Sequence, residues 1–167
     1  MADTQDNLQA AFAGESQANR RYFFSADKAE QEGHPQIARL FRAAAEAETV
    51  HARSHFLAMD GLGKTRDNLT AAIMGEYYEF NQMYPTFIKQ AESDDNQRAV
   101  MTFKHANQVE KIHHELYEKA LKTLEAGGTS EDKPYFVCQV CGNTVIGEVP
   151  GACPICGAPR DKFKRVD

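Results

Sequence analysis

The chain has 167 residues, a formal net charge of -5, 42% apolar and 26% charged residues. That is room for one ordinary domain plus a small module, and the acidic balance offers no nucleic-acid footprint. No apolar run approaches the roughly 18 residues of a membrane span, and the opening MADTQDNLQA lacks the basic and apolar regions of a signal peptide, so the sequence predicts a cytoplasmic protein with no membrane partner.

Residues 4–126 contain two prolines, Pro35 and Pro85, and are rich in Ala, Glu, Gln, Lys, Leu and Arg, which favour helix. Four helices follow in order. The first runs from about Asp3 to Glu32 and ends at EGHP, and the second from Pro35 to Met59, ending at DGLG. The third opens at Thr65 and runs to Ser93, with a kink expected at Pro85. The fourth runs from Asp95 to Ala126 and ends at GG. Residues 128–134 read as a flexible linker between a helical domain, 1–127, and a small Gly/Pro-rich β module, 135–167.

The fourth helix carries a stripe of Phe103, Ala106, Glu110, His113, Tyr117, Ala120 and Leu124, the spacing of a buried face, with a carboxylate and an imidazole where Leu belongs. Helix two repeats this with Phe41, Ala44, Glu48, His51 and Ala58; helix one places Glu15 between Ala11 and Ala18; helix three places Glu76 and Glu79 between Ala72 and Met83. One Glu–His pair three apart is ordinarily a surface pair worth a few tenths of a kcal/mol. Acidic groups at mid-length on all four helices are different. Bare carboxylates in a dry core cost many kcal/mol or must protonate, and bound cations remove that cost.

One Glu from each of two helices (Glu15, Glu76) and Glu-x-x-His from each of the other two (Glu48/His51, Glu110/His113) is the ferritin-like di-metal pattern, and the oxygen and imidazole ligands suit iron or manganese. Glu15 to Glu48 spans 33 residues and Glu76 to Glu110 spans 34, an internal repeat of a helix pair. Glu79 is surplus. A seventh ligand suggests coordination that changes with redox state, with His51 and Glu79 as alternative partners of one iron.

All four cysteines fall late in the chain. Cys138 and Cys141, then Cys153 and Cys156, form two Cys-x2-Cys knuckles separated by eleven residues, a tetrahedral four-thiolate site for iron or zinc. Gly142 and Gly157 follow the knuckles where tight turns favour glycine, and Tyr135, Phe136 and Phe163 are the expected core of the module.

The segments AFAGESQANRRY, AEAETVHARSHF, GEYYEFNQMYPTF and VEKIHHELY, with YFVCQVCG and CPICGAP, resemble rubrerythrin over nearly the whole chain. The resemblance implies a ferritin-like four-helix bundle with a non-haem di-iron site, followed by a rubredoxin-like domain whose tetrathiolate site holds iron, with zinc possible in recombinant protein. By position, Glu48 and Glu110 would bridge the irons, Glu15 with the switching pair His51/Glu79 would serve one, and Glu76 with His113 the other. Tyr22 and Tyr84 match tyrosines beside the metals, whereas His34, His55, His105 and His114 match no ligand and read as surface or boundary residues.

The implied activity is an oxidoreductase reducing hydrogen peroxide to water in protection against oxidative stress. Electrons would reach the tetrathiolate iron from rubredoxin or an NAD(P)H-dependent reductase. A ferritin-like ferroxidase handling iron is the alternative, although storage needs no dedicated electron carrier; a bundle with a zinc ribbon acting only as a binding module is a third reading.

The internal repeat has a topological consequence. Its twofold requires helices two and three to be parallel, with a gap of about 30 Å along the axis between their ends. GLGKT spans at most about 18 Å. A homodimer that swaps helix pairs, each di-iron site drawing ligands from both chains, satisfies both.

Overall fold

The computed structural model describes residues 3–129 and 131–166. The expected domain limits at residues 1 and 167, and Ser130 of the expected linker, lie outside them. The chain forms two compact units, Met1–Gly63 and Lys64–Asp167.

The first unit is a hairpin of α1 (Thr4–Gln31) and α2 (Pro35–Ala58). Asp3 and Asp6 cap α1 reciprocally: each main-chain N–H donates to the other's carboxylate, at 2.9 and 3.2 Å. Pro35 starts α2, where its missing N–H costs nothing. Alanines 26, 29, 38, 45 and 52 are buried along the seam, which lets the two backbones approach closely. The Asn19 amide crosses that seam and donates to Ala45 O at 2.6 Å and Thr49 Oγ1 at 2.8 Å. The seam takes the small residues, so the acidic stripe lies beside it. Glu15 and Glu48 are half-buried while His51 and Ala58 are exposed, which corrects the expectation of fully buried stripes. A helix with one neighbour can cover only part of a stripe as wide as this.

The second unit begins with α3 (Thr65–Tyr78), a single π-helical turn (Glu79–Met83) and α4 (Tyr84–Ser93), and continues with α5 (Gln97–Glu125). The expected third helix, kinked at Pro85, is instead interrupted just before that proline. Tyr84 N–H donates to Glu79 O, one residue further back than in an α-helix, so the turn holds one extra residue. Pro85 then sits in the opening turn of α4 with no main-chain donor to satisfy. On these stripes too, burial is partial: Phe87, Tyr117 and Leu124 are exposed.

All four hairpin and terminal caps use a left-handed residue, Gly33, Asp60, Asp95 or Gly127, with φ between 52° and 80°. At the end of α2, Asp60 N–H donates to Leu57 O and Gly61 N–H to Phe56 O, both at 3.0 Å.

The chain ends in a three-stranded antiparallel sheet with β1 (Tyr135–Cys138) between β2 (Thr144–Ile146) and β3 (Phe163–Val166). Cys138, Cys153 and Ala158 form its buried centre, with Ile155 and Phe163 packed against them. Tyr135 does not join this core and is 42% exposed. Side chains alternate along a strand, so Phe136 and Cys138 share one face and Tyr135 takes the other. Among the described residues, no helix is long and apolar enough to cross a membrane.

Candidate metal centres

Each unit brings together one Glu–Glu–His group. Glu15, Glu48 and His51 converge in the first and Glu76, Glu110 and His113 in the second, their ligand atoms within 4.8 Å of one another in each group. His51 Nδ1 lies 2.8 Å from Glu48 Oε2 and 4.0 Å from Glu15 Oε1; His113 Nδ1 lies 2.8 Å from Glu110 Oε2 and 3.9 Å from Glu76 Oε1. The local cause is helical. Residues three apart share a face, so Glu-x-x-His delivers two ligands from one helix, and the neighbouring helix adds the third.

The repeat is finer than the ligand spacing alone. Glu48 and Glu110, His51 and His113, Phe41 and Phe103, and Tyr22 and Tyr84 all stand 62 residues apart, but Glu15 and Glu76 stand 61 apart. The one-residue difference is the π turn, which lies between Glu76 and Tyr84. Beyond it the correspondence resumes: Tyr22 packs on Phe41 at 6.0 Å between ring centroids, and Tyr84 on Phe103 at 6.1 Å.

The second group is electrostatically loaded. Burial, then the Glu110 charge, pushes the Glu76 carboxyl up to about 7. Glu79 is raised for the same two reasons. The Tyr84 phenol is raised by burial and then by Glu110, Glu79 and Glu76. His113 is raised mainly by its hydrogen bond to Glu110, against the effect of burial. Carboxylates that resist ionising together, and an imidazole drawn into the cationic form among them, are the signature of a site short of positive charge. The donor set fits a hard or borderline divalent ion such as ferrous iron.

Glu79 stands outside the three-residue group, although its carboxyl feels Glu110 and His113. His114, read as a boundary residue, is half-buried: its Nδ1 donates to Ile73 O at 3.1 Å and its ring lies against Tyr77 and Phe80. His34 is exposed, and His55 and His105 are partly covered.

The four cysteine sulfurs also converge. Cys138 and Cys156 lie 3.7 Å apart and Cys141 and Cys153 3.6 Å. A tetrahedron with metal–sulfur bonds of about 2.3 Å has edges of about 3.8 Å, so the cage fits a thiolate-bound iron or zinc. Gly142 and Gly157 take φ of 84° and 73° at the two knuckles, conformations that glycine adopts freely. Burial pushes the Cys153 thiol up, but the N–H groups of Cys156 and Ile155 together with the neighbouring Cys141 and Cys156 sulfurs bring it down to about 7.

Sequence reasoning missed Thr144, which touches His113, and Asn143, which touches Cys153 of the cage. His113 Nε2 lies 3.0 Å from Thr144 Oγ1, and the Thr144 hydroxyl donates to Gly142 O at 3.2 Å. With that hydrogen committed, Thr144 can only accept from His113, which places the imidazole proton on Nε2 and leaves Nδ1 free to ligate. Asn143, beside Thr144, is 2% exposed and its side chain reaches Cys153. A Thr and an Asn after a knuckle carry no signal of their own until the fold brings α5 against β2 and one knuckle against the other.

The family model Rubrerythrin matches residues 6–121, and the model Rubrerythrin, rubredoxin-like domain, matches residues 136–164. Rubrerythrin-2 of Clostridium acetobutylicum is 37% identical over 98% of this chain and 96% of its own length. Nigerythrin of Nitratidesulfovibrio vulgaris is 34% identical over 98% of this chain and 86% of its own length. Solved structures of nigerythrin in a mixed-valence state and in a fully reduced, all-ferrous state each superpose with a TM-score of 0.57 at 34% identity, covering 99% of this chain and 88% of theirs.

Proposed function

The chain belongs to the rubrerythrin family and carries its rubredoxin-like C-terminal domain, and on that premise we propose that it is a peroxidase reducing hydrogen peroxide to water. The observation that carries this reading is the near-identical pair of Glu–Glu–His groups, matched to 0.1 Å in their Nδ1–carboxylate distances, in a chain that also holds a four-thiolate cage. Glu15, Glu48 and His51 would hold one iron and Glu76, Glu110 and His113 the other, with Glu48 and Glu110 bridging. A reduced iron pair supplies the two electrons that cleavage of the peroxide O–O bond requires.

The chain's own residues do the rest. His113 Nδ1 is left to ligate because Nε2 keeps its proton and donates it in a hydrogen bond to Thr144 Oγ1. The Tyr84 phenol, raised by burial and the surrounding carboxylates, keeps its proton at neutral pH and can donate a hydrogen bond into the site. Glu79, whose carboxyl feels Glu110 and His113, would be an alternative to His51 as a ligand of one iron. The contact from His113 to Thr144 supports electron delivery from the Cys138/Cys141/Cys153/Cys156 centre, itself refilled by rubredoxin or an NAD(P)H-linked reductase. This reading keeps a di-iron domain at 1–127, a linker at 128–134 and a rubredoxin-like domain at 135–167.

The swapped homodimer belongs to the same proposal. If a twofold axis across the helices carried α1 onto α3, α3 would run opposite to α1 and hence parallel to α2. Glu48 lies ten residues before the end of α2 and Glu76 eleven after the start of α3, a combined travel of about 31 Å. The cap at Met59–Gly61 consumes half the connection, and Leu62–Lys64 reach at most about 14 Å. In that arrangement one chain would not close the gap, whereas two chains exchanging helix pairs need not.

The test is anaerobic reduction followed by mixing with peroxide. Rapid reoxidation of both centres with peroxide consumed is expected, and Glu110→Ala should lose it while keeping the thiolate–iron colour. Normal peroxide turnover by that variant would show the assigned site to be wrong.

A further inference from the structure

The two knuckles of the cysteine module share the same main-chain hydrogen bonds. Gly142 N–H donates to Cys138 O and Gly157 N–H to Cys153 O, both at 2.9 Å. Cys138 N–H donates to Asn143 O at 2.9 Å and Cys153 N–H to Ala158 O at 2.7 Å. The main-chain N–H of Asn143 donates to the Cys141 sulfur and that of Ala158 to the Cys156 sulfur. Asn143 and Ala158 therefore occupy equivalent, buried positions. Only Asn143 adds a side-chain donor: its Nδ2 lies 3.6 Å from Cys153 Sγ, in the other knuckle. A thiolate can only accept, so the amide nitrogen rather than its oxygen faces the sulfur.

We propose that Asn143 tunes the tetrathiolate iron, its side-chain amide bond to Cys153 favouring the reduced state and raising the reduction potential. This rests on the reading of that cage as an iron site. A ferric ion with four thiolates carries one net negative charge, and one added electron makes it two. A donor aimed at a sulfur stabilises the more negative state more, so the reduced form gains. Burial sharpens the effect, because little water competes for Cys153 beside a side chain that is 2% exposed. A buried amide could instead serve only to hold the knuckles together. Such a role would affect iron retention and leave the potential where it was, so the potential is the discriminating measurement.

The experiment is a potentiometric titration of the full-length, iron-loaded protein with dithionite as reductant, comparing wild type, Asn143→Ala and Asn143→Leu. Ala has a precedent at the equivalent position of the second knuckle, and Leu preserves volume. Both variants should lower the equilibrium constant for reduction about tenfold, about 59 mV for one electron. A coloured, loaded variant with an unmoved midpoint overturns the inference alone, whereas wild-type protein that binds iron without thiolate–iron absorption overturns the functional reading and this inference with it. Should neither variant load, wild-type protein with the NMR-active cadmium isotope in the cage decides: scalar coupling between cadmium and the Asn143 side-chain protons sustains the amide–thiolate bond, and its absence refutes it.

Discussion

The helix pair α1/α2 and the pair formed by α3, α4 and α5 carry the same three ligands at the same distances, but in different settings. In the first, the His51 side chain is 55% exposed, and its contacts are to Glu48 and Glu15. In the second, His113 is 28% exposed, anchored through Nε2 to Thr144, and surrounded by carboxylates whose pKa values are driven up. The second pair also holds the π turn and, at its first residue, the surplus Glu79. One repeated hairpin pattern thus carries a plain Glu–Glu–His group and a loaded one. The ligand types are the same in both; what differs is burial, the neighbouring Glu79 and the contact of His113 with Thr144.

The strongest way to break this comparison is to remove one proposed bridging carboxylate from each pair. Glu48→Ala and Glu110→Ala should each lower peroxide reduction by more than the roughly 100-fold typical of an outer-shell change. If helix pairs are swapped, co-expressing the two variants yields heterodimers with one intact site, so purified heterodimer should regain about half of wild-type activity. Inactive heterodimer would rule out the exchange.

Thr144→Val should separate the halves. It removes the acceptor of the His113 proton, and the second half-site should lose about 10–100-fold in metal affinity. Titration with ferrous iron should show one weakened step and one unchanged; two equal losses would refute a local role.

The pH dependence of the metal-free protein sharpens the comparison further. Glu76 is raised from 4.5 to about 7, so the folded state holds more protons than the unfolded state across that window. Stability therefore falls as pH rises from about 4.5 through about 7. His113, also raised, acts in the same direction, its contribution being lost as pH climbs through its folded value. Thermal unfolding should occur at lower temperature at pH 8 than at pH 5.5, and Glu76→Gln or saturating metal should flatten the dependence. A steeper loss on acidification would contradict the assignment.

The smallest effect lies at the hairpin caps. Asp95 occupies the left-handed position that Gly33 fills in the first pair. Asp95→Gly should add roughly 0.5–1 kcal/mol in denaturant unfolding, since glycine bears no steric penalty there.

Much of this architecture was legible beforehand. Helix ends came out within two residues because Asp3, Pro35 and the Gly- or Asp-containing caps are local signals that act through main-chain geometry. The two Glu–Glu–His groups were legible because a helix turns spacing into facing, and the cysteine cage because its knuckles are short. The break before Pro85 was read as a kink: a proline announces that a helix must give way, but whether it bends or widens depends on what the neighbouring helix holds in place. The exposed Tyr135 was misread because an aromatic residue suggests a core, while the strand's alternation decides its side.

The sequence by itself determined which residues can bind metal, since ligand chemistry and helical or knuckle spacing are properties of short segments. Tertiary structure alone decided how unequal the two Glu–Glu–His groups are. His113 finds Thr144 and Cys153 finds Asn143 only when segments 31 and 10 residues apart are packed together, and burial, which sets the charge balance of Glu76, is a property of the assembled fold rather than of any stretch of chain.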